Sequence, residues 1–281
     1  MLVANTVKQI EAVMHHVRMA GQSIGFVPTM GALHEGHISL VKQSVAANDF
    51  TVVSVFVNPT QFNNPQDLEK YPRDFKKDED LLLSHDCDLI FAPTVDEIYT
   101  SADLATAFEF DFAGLDKMME GKHRPGHFNG VVQIVSKLFQ IVQPNKAYFG
   151  EKDFQQLAVI HHMTKVMRFD IEIVDCPIVR EPSGLAMSSR NERLSEEERE
   201  IASNISKVLF ESLNFVPVLS PLELEKRVVT EIQKIPGLDL EYYEIVDTKT
   251  LLPVNDWSNP TVGCIAVYCG GVRLIDNIRC S

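Results

Sequence analysis

The sequence predicts an α/β protein: a Rossmann-like parallel sheet with helices on both faces, followed by a smaller α+β part. Three observations predict this. Short β-branched or apolar runs alternate with stretches of helical period up to about residue 180, the pattern of repeated β-α-β units. Beyond Pro182 the pattern changes to two long polar-apolar helical stretches and then closely spaced strands. No internal repeat interrupts either part, and the expected boundaries are 1–180 for the Rossmann-like part and 181–281 for the smaller α+β part.

The elements follow in order. "MLVANTVKQIEAVMHHVRM" reads throughout as an amphipathic helix, and Ser23 to Val27 as a short buried strand. After the turn "PTMGALHEGH", "GHISLVKQSVAAN" has helical spacing, and "TVVSVFV" is the run of a strand buried on both faces. A charged helix "DLEKYPRDFKKDEDLLLSH" leads to the strand "DLIFAP", and "FNGVVQIVSKLFQIV" leads to "KAYFGE". The helix "FQQLAVIHHMTKVM" then precedes "IEIVDCPIV". In the second part Ser195 and Glu198 have capping-box spacing, a further helix opens near Pro221, and "LEYYEIV", "TVGCIAVYCG" and "VRLIDNI" read as antiparallel strands.

Composition excludes several classes. With 26 Lys+Arg against 39 Asp+Glu the net charge is −13, which opposes a phosphate backbone, so no nucleic-acid partner is expected. The five cysteines lack any Cys-x-x-Cys spacing and fit reduced thiols. No stretch has the uninterrupted apolar length of a membrane span or a secretory signal, and the expected location is the cytoplasm.

In a parallel sheet ligands gather beyond the carboxyl ends of the strands. The loops to read are therefore "PTMGALHEGH", "NPTQF", "GEKD" and the segment after "CPIVRE". Gly31 and Gly36 have P-loop spacing, but His37-Ile38 stand where that loop needs Lys and a hydroxyl; "HEGH" is also one residue short of a zinc-protease signature. What remains is a glycine-bearing turn opening a helix, with amide N–H groups and a dipole that attract phosphate. His34 and His37 are placed there to donate to oxygens that gain charge when phosphorus is attacked.

His34-Glu35-Gly36-His37 resembles the HIGH-type signature of the nucleotidyltransferase superfamily. With "FVPTMGALHEGH", "VNPTQF", "RPGHFNGV", "FGEKDFQQL" and "MSSRN" in this order, the chain resembles the pantoate:beta-alanine ligase family from near its N-terminus to "RLIDN". That resemblance implies ATP-dependent joining of pantoate to beta-alanine through a pantoyl-adenylate, with release of AMP and pyrophosphate. It implies catalytic roles for His34, His37 and Lys152, with His37 the better candidate to protonate the leaving group. It places ATP against Met30, Gly31, Ala32, Leu33, His34, Glu35, Gly36 and His37, and against Gly150, Glu151, Lys152 and Asp153. Val179, Met187, Ser188, Ser189 and Arg190 complete the implied nucleotide site, the last three as phosphate ligands on a mobile loop.

Gln61, Gln156 and Met30 are implied to hold the pantoate and beta-alanine substrates; a glutamine orients a carboxylate without neutralising it. Arg124 and His127 add positive charge near the site, and Asn58, Tyr71 and Arg73 stand between structural support and a direct role. Mg2+ should accompany ATP on phosphate oxygens. "KKDEDL" is the candidate source of a protein ligand, but Lys77-Asp78 departs from the adjacent acids of some family members, so none is assigned. A homodimer is implied. "TVVSVF" could supply a pairing edge and equally reads as a buried strand. Two rivals are a nucleotidyltransferase acting on a phosphate acceptor and a non-catalytic nucleotide sensor; the first needs a cationic acceptor pocket, and the second has no use for both histidines and Lys152.

Overall fold

A computed structural model describes residues 1–106 and 108–281, and the account that follows is of these described residues. The chain divides into two compact units. The first holds residues 1–116, 121–151 and 156–177; the second holds 117–120, 152–155 and 178–281. The longest stretch of the second unit is 178–281, and the unit also takes in two short segments from far upstream. Both have partners inside it. The Glu120 carboxylate accepts from the Arg273 guanidinium at 2.7 and 2.8 Å, and the Lys152 carbonyl accepts from Asn277 Nδ2 at 3.0 Å.

The first unit is a six-stranded sheet of parallel pairs: β1 (Leu2–Ala4), β2 (Ile24–Thr29), β3 (Phe50–Val55), β4 (Leu89–Phe91), β5 (Lys146–Gly150) and β6 (Glu172–Cys176). Their order across the sheet is β1-β4-β3-β2-β5-β6. The helices are α1 (Val7–Met19), α2 (Glu35–Ala47), α3 (Pro65–Glu69), α4 (Phe75–Leu83), α5 (Val95–Ile98), α6 (Ser101–Ala105), α7 (Met119–His123), α8 (His127–Val142) and α9 (Phe154–Val166). Two expectations are corrected. Residues 2–4 are an edge strand rather than the start of a helix, which begins only after the Thr6 cap, where the Thr6 and Gln9 side chains cap one another's backbone N–H. The charged helix from Asp67 is two helices, because Pro72 cannot continue the first and Asp74 caps the second by accepting from Lys77 N–H.

Strand alternation sorts the core into two layers, as a period of two requires. Phe26, Val52, Leu89 and Ala147 face α1, α8 and α9; Val27, Val53, Ile90 and Tyr148 face α2 and α4. Gly25 is required where α2 crosses β2, since a Cβ there would lie 2.2 Å from Ser44 Oγ. The strand order reverses at β2, which has β3 on one side and β5 on the other. β2 pairs with β3 along its whole length but with β5 only through Gly25↔Lys146 and Phe26↔Ala147. Pro28, which has no N–H to offer, follows that separation. The carboxyl ends of β2 and β5 thus part at the switch point where this architecture receives ligands.

The second unit packs α10 (Glu196–Ser212) and α11 (Pro221–Gln233) on an antiparallel sheet β7-β8-β9 (Leu238–Asp247, Thr261–Cys269, Val272–Arg279). Ser195 and Ser220 cap the two helices, each with the third helical residue a glutamate that reaches back to the cap N–H. Leu209, Leu224, Val228, Ile245 and Val267 make its core. All five cysteines are unbridged, and burial pushes the Cys87 thiol up to about 12 and those of Cys176 and Cys280 up to about 11, leaving them protonated. Among the described residues no helix is long and apolar enough to cross a membrane.

Candidate active site

The turn after β2 is built from backbone demands. Thr29 Oγ1 donates to the Ser54 carbonyl at 2.6 Å and accepts the Gly31 N–H at 3.2 Å, closing the end of the strand. Gly31 and Ala32 then adopt φ of +78° and +51°, a left-handed pair that reverses the chain. The next two amides point at one side chain: Ala32 N–H and Leu33 N–H donate to Asp78 Oδ2 and Oδ1 at 3.0 and 2.7 Å.

His34 follows in extended conformation and caps α2. Its Nδ1 accepts from Gly36 N–H at 3.1 Å, and His37 Nδ1 accepts from His34 N–H at 3.4 Å, so the two imidazoles cap the helix reciprocally. The ring centroids lie 4.1 Å apart. A ring whose Nδ1 accepts carries its proton on Nε2 when neutral. Each histidine therefore offers an Nε2–H donor at the positive end of a helix. The spacing of three that stands out in the sequence is the N-cap to third-residue spacing of a cap made from two imidazoles.

A second cluster lies on the loop after β3 and the start of α8. Gln61 Nε2 contacts Met30 Sδ at 3.0 Å, which brings together two residues expected from the sequence to bound one substrate. Gln61 Oε1 accepts from Asn58 Nδ2 at 3.1 Å, and Asn58 Oδ1 accepts from the Tyr99 hydroxyl at 2.7 Å. Burial raises that hydroxyl to about 12, so it remains a donor. His127 Nδ1 donates to the Gln61 carbonyl at 2.8 Å and its Nε2 accepts from Arg124 at 3.1 Å. Asn58, 1 % exposed, thus supports Gln61 from beneath, and the Arg124–His127 pair holds the same residue's backbone. Arg73 instead donates to the Leu68 and Tyr71 carbonyls, while Tyr71 packs edge-on to Phe62, so both support this region of chain.

Gly130 explains the glycine of "HFNGV". A Cβ there would lie 2.4 Å from the Thr60 carbonyl oxygen and 2.7 Å from Gln61 Cα, both backbone. Gly130→Ala is expected to push the 58–61 loop off α8 and raise the KM for the substrate that Gln61 holds by about tenfold, the scale of a displaced positioning group. Initial-rate kinetics on the folded variant check this; an unchanged KM would refute the assignment.

β5 leads through Gly150, where an added Cβ would meet nothing within 4 Å, into a 3-10 turn spanning Glu151–Asp153. Gly150 and Glu151 belong to the first unit, as does Gln156, half-buried at the start of α9. Lys152 and Asp153 belong to the second. The Lys152 side chain is 16 % exposed, with Nζ 4.0 Å from Asp153 Oδ2.

Within the second unit, residues 178–187 fold back on themselves: Met187 N–H donates to the Val179 carbonyl at 3.0 Å, and Arg180 bridges Ala186. Ser188 then caps the 3-10 helix Ser189–Arg193 by accepting from Arg190 N–H. Ser189 is buried, whereas Met187, Ser188 and Arg190 are half-exposed. Supports that sequence reasoning missed lie behind this loop. Arg180 donates to both Asp276 oxygens at 2.6 and 2.9 Å, and Asn191 Nδ2 donates to Glu181 and the Ala186 carbonyl. Tyr99 and the role of Asn277 were missed in the same way, and Asp78 was read only within an acidic stretch offered to a metal, since each acts on backbone or on residues far away in sequence. Arg180, Glu181, Asn191, Asp276 and Asn277 lie inside quoted motifs, and that position was the signal they carried.

A parallel sheet whose order reverses at β2, with a helix opened by two imidazoles at that switch point, defines an α/β protein of the class that binds ligands beyond its strand ends. Residues 2–279 match the pantoate-beta-alanine ligase family, and the chain belongs to that family. It is 56 % identical to a pantothenate synthetase of Bacteroides fragilis over 281 residues, 99 % of each chain, and 50 % identical to that of Porphyromonas gingivalis over 99 % of each. In structure it is similar to a crystal structure of pantothenate synthetase from Thermus thermophilus, with TM-score 0.93 and 40 % identity over 100 % of this chain and 99 % of the other. It is also similar to a pantoate-beta-alanine ligase of Francisella tularensis complexed with beta-gamma ATP and beta-alanine, with TM-score 0.83 and 39 % identity over 99 % and 97 %.

Proposed function

We propose that this chain condenses pantoate with beta-alanine at the expense of ATP, giving pantothenate, AMP and pyrophosphate through a pantoyl-adenylate. The observation that carries the site assignment is the reciprocal imidazole cap after β2, which leaves Nε2–H as the donor of both His34 and His37.

A carboxylate does not react with an amine at a useful rate, because its carbon carries no leaving group. In the first half-reaction a pantoate carboxylate oxygen attacks the α-phosphorus of ATP and the bond to pyrophosphate breaks. Charge grows on the phosphate oxygens, and preorganised Nε2–H donors stabilise it without reorganising. His37, in the first turn of α2, is the candidate to donate an Nε2–H hydrogen bond to the oxygen of the leaving pyrophosphate, stabilising its charge without giving up the proton. Lys152 supplies a point charge for the β- and γ-phosphates, and Ser188, Ser189 and Arg190 further phosphate contacts. Val179 and Met187 bound the adenine. Gln61, Gln156 and Met30 position pantoate, Gln61 having its amide orientation set by Asn58. In the second half-reaction the beta-alanine nitrogen attacks the acyl carbon, AMP leaves, and the nitrogen loses a proton. Proximity suffices there, since the acyl-adenylate is already activated.

Mg2+ is part of this reading as the partner of the ATP phosphates. Such a cation would be held chiefly by phosphate oxygens and water and would supply charge neutralisation there. A cytoplasmic homodimer completes the reading on the strength of the sequence motifs, and sedimentation checks the dimer.

One experiment separates the reading from its rivals. With ATP, Mg2+ and pantoate but no beta-alanine, the protein should exchange labelled pyrophosphate into ATP only when pantoate is present. Exchange without pantoate would indicate another acceptor, and binding of ATP with no exchange would indicate a sensor.

A further inference from the structure

We propose that Asp78 is a positioning residue for the two histidines: its carboxylate is the template around which the Gly31–Leu33 turn is wound. Both oxygens are engaged, Oδ2 by Ala32 N–H at 3.0 Å and Oδ1 by Leu33 N–H at 2.7 Å. The residue is 1 % exposed although it sits on a helix whose neighbours Lys76, Lys77 and Asp80 are exposed. Removing a carboxylate from water is unfavourable unless charge-assisted bonds replace those to solvent, and two amides in consecutive residues do so here. Burial nevertheless pushes the carboxyl above its ordinary range, against the lowering by the Leu33 and Ala32 amides, as expected for a group enclosed by the fold.

The shape of the turn follows the carboxylate. Ala32 is a non-glycine residue at φ +51°, a conformation that needs support from its surroundings. Gly31 precedes it at φ +78°, where a Cβ would lie 2.9 Å from Asp78 Oδ2, so the turn is wrapped as closely over the carboxylate as a backbone allows. Leu33 leads directly to His34, whose extended conformation places its ring on the Gly36 amide and its own N–H on the His37 ring. Asp78 therefore acts on the chemistry through backbone, setting the direction from which His34 enters the cap. The acidic stretch that sequence reading offered to a metal has its buried member committed elsewhere.

The inference rests on the proposed role of the two imidazoles. Asp78→Asn is the test, because an amide can accept only one of the two N–H groups and turns a donor toward the other. Below its melting temperature the variant is expected to lose about tenfold or more in kcat for pantoate-dependent ATP/pyrophosphate exchange, the scale of a sub-ångström misplacement. The KM for ATP and the Mg2+ concentration for half-maximal rate should stay within about twofold. The imidazole 15N resonances of His34 and His37 should lose the single Nε2–H pattern of the wild type. A wild-type kcat with unaltered imidazole resonances would overturn the proposal. So would a raised Mg2+ requirement with kcat restored by excess Mg2+, which is the behaviour of a metal ligand. If the variant does not fold, amide exchange in the wild type decides: Ala32 and Leu33 N–H must be protected, and exchange at the rate of an open loop would overturn the proposal. An impaired Asp78→Asn beside an unimpaired His37 variant would fail the imidazole reading instead.

Discussion

His37→Ala is expected to lower pantoate-dependent ATP/pyrophosphate exchange by about a hundredfold or more, the cost of losing one preorganised donor to developing charge. The substitution also removes the acceptor for His34 N–H at the start of α2, so part of the loss could be structural. His37→Gln separates the two. A glutamine at the third helical position can cap the N-cap amide, as Gln9, Glu198 and Glu223 do in α1, α10 and α11, but it has no ring Nε2–H on the far side of the cap to donate. His37→Gln should therefore unfold like the wild type in denaturant while its exchange rate stays depressed by a similar factor. A glutamine variant with the wild-type rate would show that His37 serves only to begin the helix.

Arg180→Met is expected to destabilise the protein by about 3–5 kcal/mol, the range for removing one partner of a buried pair. The Asp276 side chain is 4 % exposed and that of Arg180 17 %, so water replaces little of what is lost. Arg180 also donates to the Gly184 carbonyl and lies 5.0 Å from the Phe210 ring centroid. Its removal loosens the segment between Val179 and Met187, so the KM for ATP should rise as well. Denaturant unfolding gives the stability change, and Arg180→Met combined with Asp276→Leu should recover much of it, because apolar replacement of both partners removes the stranded charge. A single variant within about 1 kcal/mol of the wild type would refute the assignment.

Elements with strong period were legible in the sequence. β2, α2 and β3 could be read because buried strands leave unbroken apolar runs and a helix beside them repeats every three to four residues. The imidazole pair could be read because its two members lie within one turn. β1 could not. It is three residues long at a sheet edge, with two of them exposed, and its apolar residues run straight into those of α1. The break between α3 and α4 was available in Pro72 but masked by the charged residues on either side. Asp78 illustrates a deeper limit. Its partners are backbone amides some 45 positions away, and an amide has no letter in the sequence. Glu120 is similar, meeting an arginine 153 positions later.

The two upstream segments of the second unit bear on how this protein can be cut. The chain passes from one unit to the other at 116/117, 120/121, 151/152, 155/156 and 177/178. No single scission yields both halves entire. A fragment of residues 178–281 would keep Arg273 against Glu241 yet leave Tyr242 without its Glu120 acceptor and Asn277 without the Lys152 carbonyl. The C-terminal hundred residues are thus an unsuitable cassette for grafting or separate expression, however self-sufficient their helices and strands look when written out in one line.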